Sequence, residues 1–278
     1  MRTISLEELL EAGCHFGHQV VRSNPKARDY IYEARDGIHI IDLAKTKEGL
    51  EEAGKYVKKV AQTPNSTLVI VGTKRQSSDI IKNSAEKAKK EVKEDPGIYF
   101  VTSRWVGGLL TNFAEVSKNF KKMEELNENL SDPQKQKGYT KREVRMWQKE
   151  KDKLEKLYGG VYALNKKPDL LFIIDSRLED IAVKEAIRTG VPTVAITDTN
   201  ADPTLIDYPI PANDDAAGSL ELIIGYIMDA WIEGKNSLKL KVKSEKLEET
   251  KTDNSKKPKV NSKIKATDKP KSNSKNKD

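Results

Sequence analysis

Two basic residues follow a glycine at one predicted strand end, in a pattern that could bind phosphate. The run Val71-Gly72-Thr73-Lys74-Arg75 leads from an apolar strand into a helix. Backbone N–H groups at the start of a helix, together with Lys and Arg, bind phosphate groups. The run lacks the spacing of a P-loop, and no G-x-G-x-x-G motif occurs in the chain. Lys74 and Arg75 could therefore hold a small phosphorylated ligand or the backbone of a polynucleotide.

Two further basic groups could contact a polynucleotide. The loop at 22–28 contains three cations and no acid: Arg22, Lys26 and Arg28. Arg104 and Trp105 stand at another strand end and are followed by two glycines. The guanidinium of Arg104, the indole of Trp105 and the backbone of the two glycines are groups that can pack closely on RNA. The alternative interpretations are solvated charge in the loop and packing of Trp105 at the base of the following helices.

Acidic side chains and a Cys-His fragment offer a second kind of chemistry. Five carboxylates lie in or near the loop after another predicted strand: Asp198, Asp202, Asp207, Asp214 and Asp215. They could bind a divalent ion or act as acid and base, but Asp in loops more often caps helices and forms turns. Cys14, His15 and His18 resemble half of a zinc site. The other half is missing, because the chain has one Cys and three His, so packing near the sheet is the favoured interpretation.

Short apolar runs alternate with helical segments and would position these groups. The predicted strands are residues 30–34, 38–41, 67–71, 98–101, 169–174, 192–196 and 208–210. Asp214 and Asp215 are expected to cap a final helix that ends at Ile232, before Gly234. Buried strands joined by helices imply right-handed crossovers and a doubly wound parallel sheet. Such sheets bind ligands at the carboxyl ends of their strands, which is where residues 72–75 and 198–202 stand.

A highly charged insertion, residues 112–158, separates two parts of this domain. Of the 45 residues from 114 to 158, 21 are charged. A thin apolar seam recurs at spacings of three and four, which predicts a narrow helix–helix contact: Phe113, Val116, Phe120, Met123, Leu130, Val144, Trp147, Leu154 and Tyr158. The first helix would reach about 28 Å, long enough to project from the domain. Its exposed cations are further candidates for RNA contact: Lys121, Lys122, Lys141, Arg142 and Arg145.

The net charge of +7 belongs to one end of the chain. Residues 251–278 contain ten lysines and three aspartates, so residues 1–250 are formally neutral. Residues 236–278 hold few apolar side chains and are predicted to be disordered. No run of eighteen apolar residues and no apolar signal segment occur, which predicts a cytoplasmic protein. The predicted organisation is an α/β domain in two parts, 1–111 and 159–235, an inserted hairpin, 112–158, and a basic tail, 236–278.

The segments, taken in order, resemble the bacterial-type small-subunit ribosomal protein S2 family over residues 5–235. In the first half the matching segments are 13–18, 24–26, 37–43, 45–46 and 71–75. In the second half they are 104–108, 110–112, 159–160, 168–169, 198–200, 202–203, 210–211 and 213–216. The combination is highly specific, although no single segment is. The Lys-rich end from Lys239 lies outside the resemblance.

The resemblance implies a flavodoxin-like doubly wound parallel sheet with an inserted antiparallel helical (coiled-coil) hairpin. It implies a noncatalytic role, with binding to small-subunit ribosomal RNA and to neighbouring small-subunit ribosomal proteins. Such proteins help to dock the mRNA-binding protein S1 where the organism has one. No enzyme activity, cofactor, metal, membrane contact or homo-oligomer is implied.

Two other classes of protein remain as alternatives. Sheet architecture alone allows an enzyme that binds a nucleotide or sugar phosphate at residues 72–75 and 198–202, which is an argument from fold and not from a site. A coiled-coil adaptor acting through the hairpin would predict that the isolated hairpin dimerises. Asn127 and Lys151 interrupt the apolar seam and speak against that role.

Overall fold

Strands and helices alternate along the chain. The computed structural model describes residues 2–92 and 96–254, with side chains as far as Lys239. The strands are β1 (Phe16–Gln19), β2 (Ile31–Arg35), β3 (Ile38–Ile41), β4 (Leu68–Val71), β5 (Ile98–Val101), β6 (Leu170–Ile173), β7 (Thr193–Thr197) and β8 (Tyr208–Pro211). The helices are α1 (Leu6–Glu11), α2 (Leu43–Ala61), α3 (Arg75–Glu91), α4 (Phe113–Ser131), α5 (Lys141–Tyr158), α6 (Asp180–Thr189) and α7 (Ala217–Asn254). The chain divides into two units, Met1–Lys239 and Leu240–Asp278. Among the described helices, none has the length and apolar character needed to span a membrane.

Strands β4 to β8 form the predicted parallel sheet. Their order is β5-β4-β6-β7-β8, and every neighbouring pair is parallel. This is the 2-1-3-4-5 order of flavodoxin-like folds, in which the direction of winding reverses between the first and third strands. Here the reversal lies between β4 and β6, so their carboxyl ends flank the crevice where such sheets receive ligands.

Helices cover both faces of this sheet, which explains why its central strands are apolar throughout. Successive side chains of β4 point to opposite faces, so Leu68 and Ile70 join one core while Val69 and Val71 join the other. The first core lies under α1, α2, α3 and α7 and contains the fully buried Trp231. The second core lies under α6 and the root of the insertion.

A small antiparallel sheet, in the order β1-β3-β2, stands beside the main sheet. Strands β2 and β3 confirm the prediction, but β1 was not foreseen because none of its residues is fully buried and no apolar alternation marks it. A Cβ on Gly17 would lie 2.7 Å from Thr199 Cγ2 and 3.0 Å from His39 O. Only glycine permits this close approach, which brings the neighbouring His18 to the edge of the main sheet.

The insertion is the predicted helical hairpin, formed by α4 and α5. Four residues of α4 are buried in the seam between the helices. Val116, Phe120 and Met123 were predicted, and Leu126 was not. The Phe120 ring meets Tyr158 edge-on at a centroid distance of 5.5 Å, which anchors the hairpin in the second core. A Cβ on Gly160 would lie 2.1 Å from Phe100 O, so the returning chain can pass beside β5 only as glycine.

Helix α7 differs from its prediction. It was expected to end at Ile232, but it continues to Asn254. Gly234 is not a terminator: a Cβ there would lie 2.6 Å from Ala61 Cβ, so this glycine serves close packing against α2. Disorder was predicted for residues 236–278. Side chains are described only as far as Lys239 and the backbone only as far as Asn254, so most of this segment lies outside the described part of the chain. The disorder stays a prediction.

Candidate nucleic-acid interface

The carboxyl ends of four parallel strands bring oppositely charged side chains together. Lys74 follows β4, Asp175 follows β6, Asp198 follows β7, and Asp214 and Asp215 follow β8. The Lys74 Nζ lies 2.8 Å from Asp175 Oδ2, 2.8 Å from Asp214 Oδ1 and 2.7 Å from Asp215 Oδ1. Its side chain is only 16% exposed, so the ammonium group points into the fold. These residues, with His18 and Asp198, are called the strand-end network below.

Burial and charge shift the pKa values in the strand-end network in different directions. Burial alone would lower the pKa of Lys74, but the facing carboxyls of Asp214, Asp175 and Asp215 outweigh it and raise that pKa. Burial, together with the charges of Asp175 and Asp198, raises the pKa of Asp214 to about 8 against the opposing effect of Lys74. Burial opposes ionisation of Asp175 as well, yet its contact with Lys74 holds the pKa of this carboxyl below its usual range. The ammonium group is thus the fixed charge around which the acids are arranged.

His18 closes the network on its other side. Its Nδ1 lies 3.0 Å from Asp198 Oδ2, and its Nε2 lies 3.6 Å from Asp215 Oδ2. The bond to Asp198 raises the pKa of His18, against the opposing effect of burial. The backbone N–H of His18 also donates to Thr199 Oγ1 at 2.9 Å, which fixes β1 against the end of β7.

Three residues of this network have the spacing of metal ligands. One ligand atom each from His18, Asp198 and Asp214 lies within 4.8 Å of the others. Lys74 already places a positive charge 2.8 Å from the Asp214 carboxyl, so the acids are neutralised by a side chain. Cys14 does not join them as a thiolate: burial raises the pKa of its thiol and keeps it protonated. The arrangement ties strand ends together.

The acids after β7 and β8 have other partners than expected. Asp202 accepts from Thr204 N at 3.1 Å and stabilises a turn as predicted, whereas Asp207 accepts from Thr193 N at 2.8 Å and ties the start of β8 to the start of β7. The cap of α7 was assigned to Asp214 and Asp215, and this is wrong. Asn213 Oδ1 instead accepts from the N–H groups just before the helix, at 2.8 and 3.1 Å. Asp214 is unavailable because its carboxyl belongs to the strand-end network.

The predicted RNA-binding residues of the α/β domain fall into exposed and buried groups. Four arginines are exposed at its surface: Arg22, Arg28, Arg75 and Arg104. Lys26 is 56% exposed and pairs with Asp202 at 2.6 Å. Lys74 is held inside the strand-end network. Trp105 is 4% exposed and packs in the second core at the root of the hairpin, so its ring offers no stacking face.

The hairpin presents its predicted cations to solvent. All five are exposed: Lys121, Lys122, Lys141, Arg142 and Arg145. Lys122 on α4 forms an ion pair with Glu150 on α5. The pair lies on the surface and bridges the two helices, so it helps to hold the hairpin together while leaving most of its basic surface free.

Sequence reasoning missed two residues that shape this surface. Glu185 is 8% exposed on α6, and its carboxylate accepts from Gly108 N at 2.6 Å and Leu110 N at 3.0 Å. It therefore fixes the glycine corner that leads into α4. The signal was an acid on the apolar face of α6, next to Ala182 and Ala186. Arg177 is exposed in the loop after β6, beside a cleft of about 540 Å³. No sequence motif marked it.

Comparison with known proteins gives consistent results. The family description "Ribosomal protein S2" matches residues 9–234. A protein of Fusobacterium nucleatum named small ribosomal subunit protein uS2 is 43% identical over 238 residues, which cover 86% of this chain and 93% of that protein. Proteins of the same name from Geotalea uraniireducens and Coprothermobacter proteolyticus are 42% and 43% identical; the matches cover 88% of this chain in both cases, and 92% and 88% of those proteins.

Proposed function

The chain belongs to the ribosomal protein S2 family, and from this membership we propose that it is a structural constituent of the small ribosomal subunit that binds ribosomal RNA. The observation that carries the proposal is similarity over almost the whole folded body, to proteins named for that subunit. The family is structural and not enzymatic, and its members act on the ribosome in the cytoplasm. The enzyme alternative loses the 72–75 half of its site, because Lys74 is held by the carboxyl groups of Asp175 and Asp214.

RNA contact takes place through local basic patches, since residues 1–250 are formally neutral. The exposed cations support two patches, one at the loop 22–28 and one on the hairpin. Arg75 and Arg104 add single contacts at strand ends. Lys74 and Trp105 contribute indirectly in this proposal: the first holds the strand ends and the second holds the root of the hairpin.

Docking of the mRNA-binding protein S1, where the organism has one, needs a surface for a protein partner. The N-terminal face supports this part of the proposal. Leu6, Leu10 and Tyr32 are 47%, 53% and 73% exposed, and they surround an apolar cleft of about 390 Å³. Exposed apolar side chains that lie together are typical of protein–protein contact sites.

Sedimentation of cell lysate through a sucrose gradient tests the ribosomal role. We expect the protein to sediment with small subunits and to be absent from the soluble top fractions. Recovery only at the top of the gradient would contradict the proposal.

Composition of the purified subunits tests the docking surface. Leu10→Asp is expected to leave this protein on the subunit but to reduce the amount of bound S1. Ile187→Asp, at a residue that is 54% exposed on α6, is the matched control. Equal S1 content in wild-type and Leu10→Asp subunits would show that the N-terminal face does not carry the contact.

A further inference from the structure

A cleft of about 540 Å³ lies between the loop after β6 and the loop after β7. Its walls include Arg22, Ser176, Arg177, Asn200, Asp202 and Leu205. The volume falls within the range of about 300–1,000 Å³ that is usual for small-molecule sites, and it is far larger than a phosphate ion needs. None of the residues that line the cleft belongs to the strand-end network, although both lie at the same edge of the sheet.

The charge in this cleft is positive. Neither Arg22 nor Arg177 forms an ion pair among the described residues. Two acids also line the cleft, but each already has a cation: Asp202 pairs with Lys26 at 2.6 Å, and Asp180 pairs with Lys184 at 2.7 Å. Two guanidinium groups are therefore left to attract an anion, and guanidinium matches the geometry of phosphate.

Two residues in the wall of the cleft carry buried polar atoms that lack a partner. Ser176 Oγ and Asn200 Oδ1 are both buried, and neither has a hydrogen-bond partner within the described part of the chain. Buried polar atoms are normally paired, because an unsatisfied buried group lowers stability. Rotation of either side chain toward the cleft would let a bound group supply the missing hydrogen bond.

We propose that this cleft binds a single nucleotide of the ribosomal RNA, with its phosphate between Arg22 and Arg177. The ribose 2′-hydroxyl or an amino group of the base then donates to Asn200 Oδ1 and contacts Ser176 Oγ, while Leu205 and Ile206 supply an apolar wall for the base. Unstacked bases with free edges are the usual targets of specific RNA recognition by proteins. The inference rests on the proposed ribosomal function and adds Arg177 to its RNA contacts.

Chemical probing of ribose 2′-hydroxyls in purified small subunits tests the inference. The subunits would carry the wild-type protein, Arg22→Ala, Arg177→Ala or the control Arg188→Ala, which changes an exposed arginine at the other end of α6. We expect one short RNA segment to lose its protection in both Arg22→Ala and Arg177→Ala and to keep it in Arg188→Ala. Binding of each isolated variant to the RNA should show, for Arg177→Ala, a slope of log affinity against log salt that is shallower by about 0.7.

Three results would overturn the inference. The first is unchanged probing in all variants. The second is loss of protection at different RNA segments in Arg22→Ala and Arg177→Ala, which would mean two separate contacts. The third is tight binding of free nucleoside monophosphates that Arg177→Ala abolishes, with unchanged subunit probing, since the cleft would then serve a free nucleotide. If the wild-type protein were absent from small subunits, the proposed function would fail first and this inference with it.

Discussion

Lys74 occupies the position at which open α/β sheets usually receive an anionic ligand. Glycine and two cations after the first strand of the sheet indicated a phosphate site, and the same residue types serve an internal purpose here. The acids that surround Lys74 come from residues about a hundred positions or more away in sequence, so nothing in the local pattern around Val71–Arg75 could have shown them. Spacing along the chain predicts chemistry only when the partners are neighbours in sequence.

Removal of the Lys74 charge should destabilise the protein strongly. Lys74→Met would leave the buried carboxylate of Asp175 without its cation, at a cost of about 3–5 kcal/mol in the free energy of unfolding. Lys184→Ala breaks an exposed pair with Asp180 on α6 and should cost at most about 0.5 kcal/mol. Denaturant unfolding of both variants checks the difference. Equal, small losses would show that Lys74 is not required for this edge of the sheet.

His18 should make stability depend on pH near neutrality. Its pKa is raised in the folded state by Asp198, so its contribution is fully present below the unfolded pKa of 6.5 and is lost as the pH rises through the higher folded pKa. The free energy of unfolding of the wild type should therefore exceed that of His18→Asn most clearly at about pH 5.5, and the gap should shrink by about pH 9. Asp214, whose charge also acts on His18, gives a trend of the same sign in both proteins.

His39→Asn is the matched control for this measurement. His39 takes no part in the ion pairs found among the described residues, and it lies on the neighbouring strand β3. Its variant should follow the wild-type pH profile. Parallel curves for the wild type and His18→Asn would exclude the pair with Asp198 as a source of pH dependence.

At the scale of elements, capping residues and apolar runs in the sequence predicted most of the helices and strands. Asp42 accepts from Ala44 N at 2.9 Å and begins α2, and Ser5 Oγ accepts from Glu8 N at 3.1 Å at the start of α1. Such caps act through neighbours in sequence, so they can be read from the sequence. Strand β1 could not be found this way, because its residues are held by pairing with β3 and by the close approach of Gly17 to Thr199.

The corner that leads into the hairpin depends on Glu185. Its two carboxylate oxygens accept from Gly108 N, Leu110 N and Thr111 N. Glu185→Gln replaces one acceptor oxygen by an N–H donor that faces another donor, so the free energy of unfolding should fall by about 1–3 kcal/mol. Hydrogen exchange at the Gly108 and Leu110 amides should accelerate.

Glu155→Gln, an exposed substitution on α5, is the matched control for that change. It should leave both the free energy of unfolding and the exchange of the corner amides unaltered. If Glu185→Gln behaved in the same way, the corner would be held by the packing of Leu109 and Trp105 alone.

At the scale of the whole molecule, charge is divided between a neutral body and a basic end. The fold class, the inserted hairpin and the position of the strand ends followed from apolar runs and charge, which are properties of single segments. The burial of Trp105 and the pairing of Lys74 did not, because burial and pairing depend on several segments at once. An exposed Arg and a buried Trp have no local signature that separates an RNA contact from a structural one.

The C-terminal end should speed encounter with RNA without stabilising the body. Lys235 belongs to the body: it is 3% exposed, its Nζ donates to Ser66 O at 2.9 Å, and it lies 5.3 Å from the Trp231 ring centroid. A chain ending at Lys239 should therefore keep the melting temperature of the full chain, whereas one ending at Gly234 should melt lower. Residues 251–278 supply the whole excess of positive charge, so both shortened chains should associate with RNA more slowly at low salt.

The salt dependence of the rate of association with RNA distinguishes long-range electrostatic attraction from specific contacts. Long-range attraction is screened, so the difference between the full chain and the chain ending at Lys239 should nearly vanish toward ~1 M salt, where the Debye length is about 3 Å. A rate difference that persists at high salt would mean that the C-terminal end makes specific contacts with the RNA. A drop of several degrees in the melting temperature of the chain ending at Lys239 would mean that the segment after it stabilises the body, contrary to what its shortage of apolar side chains predicts.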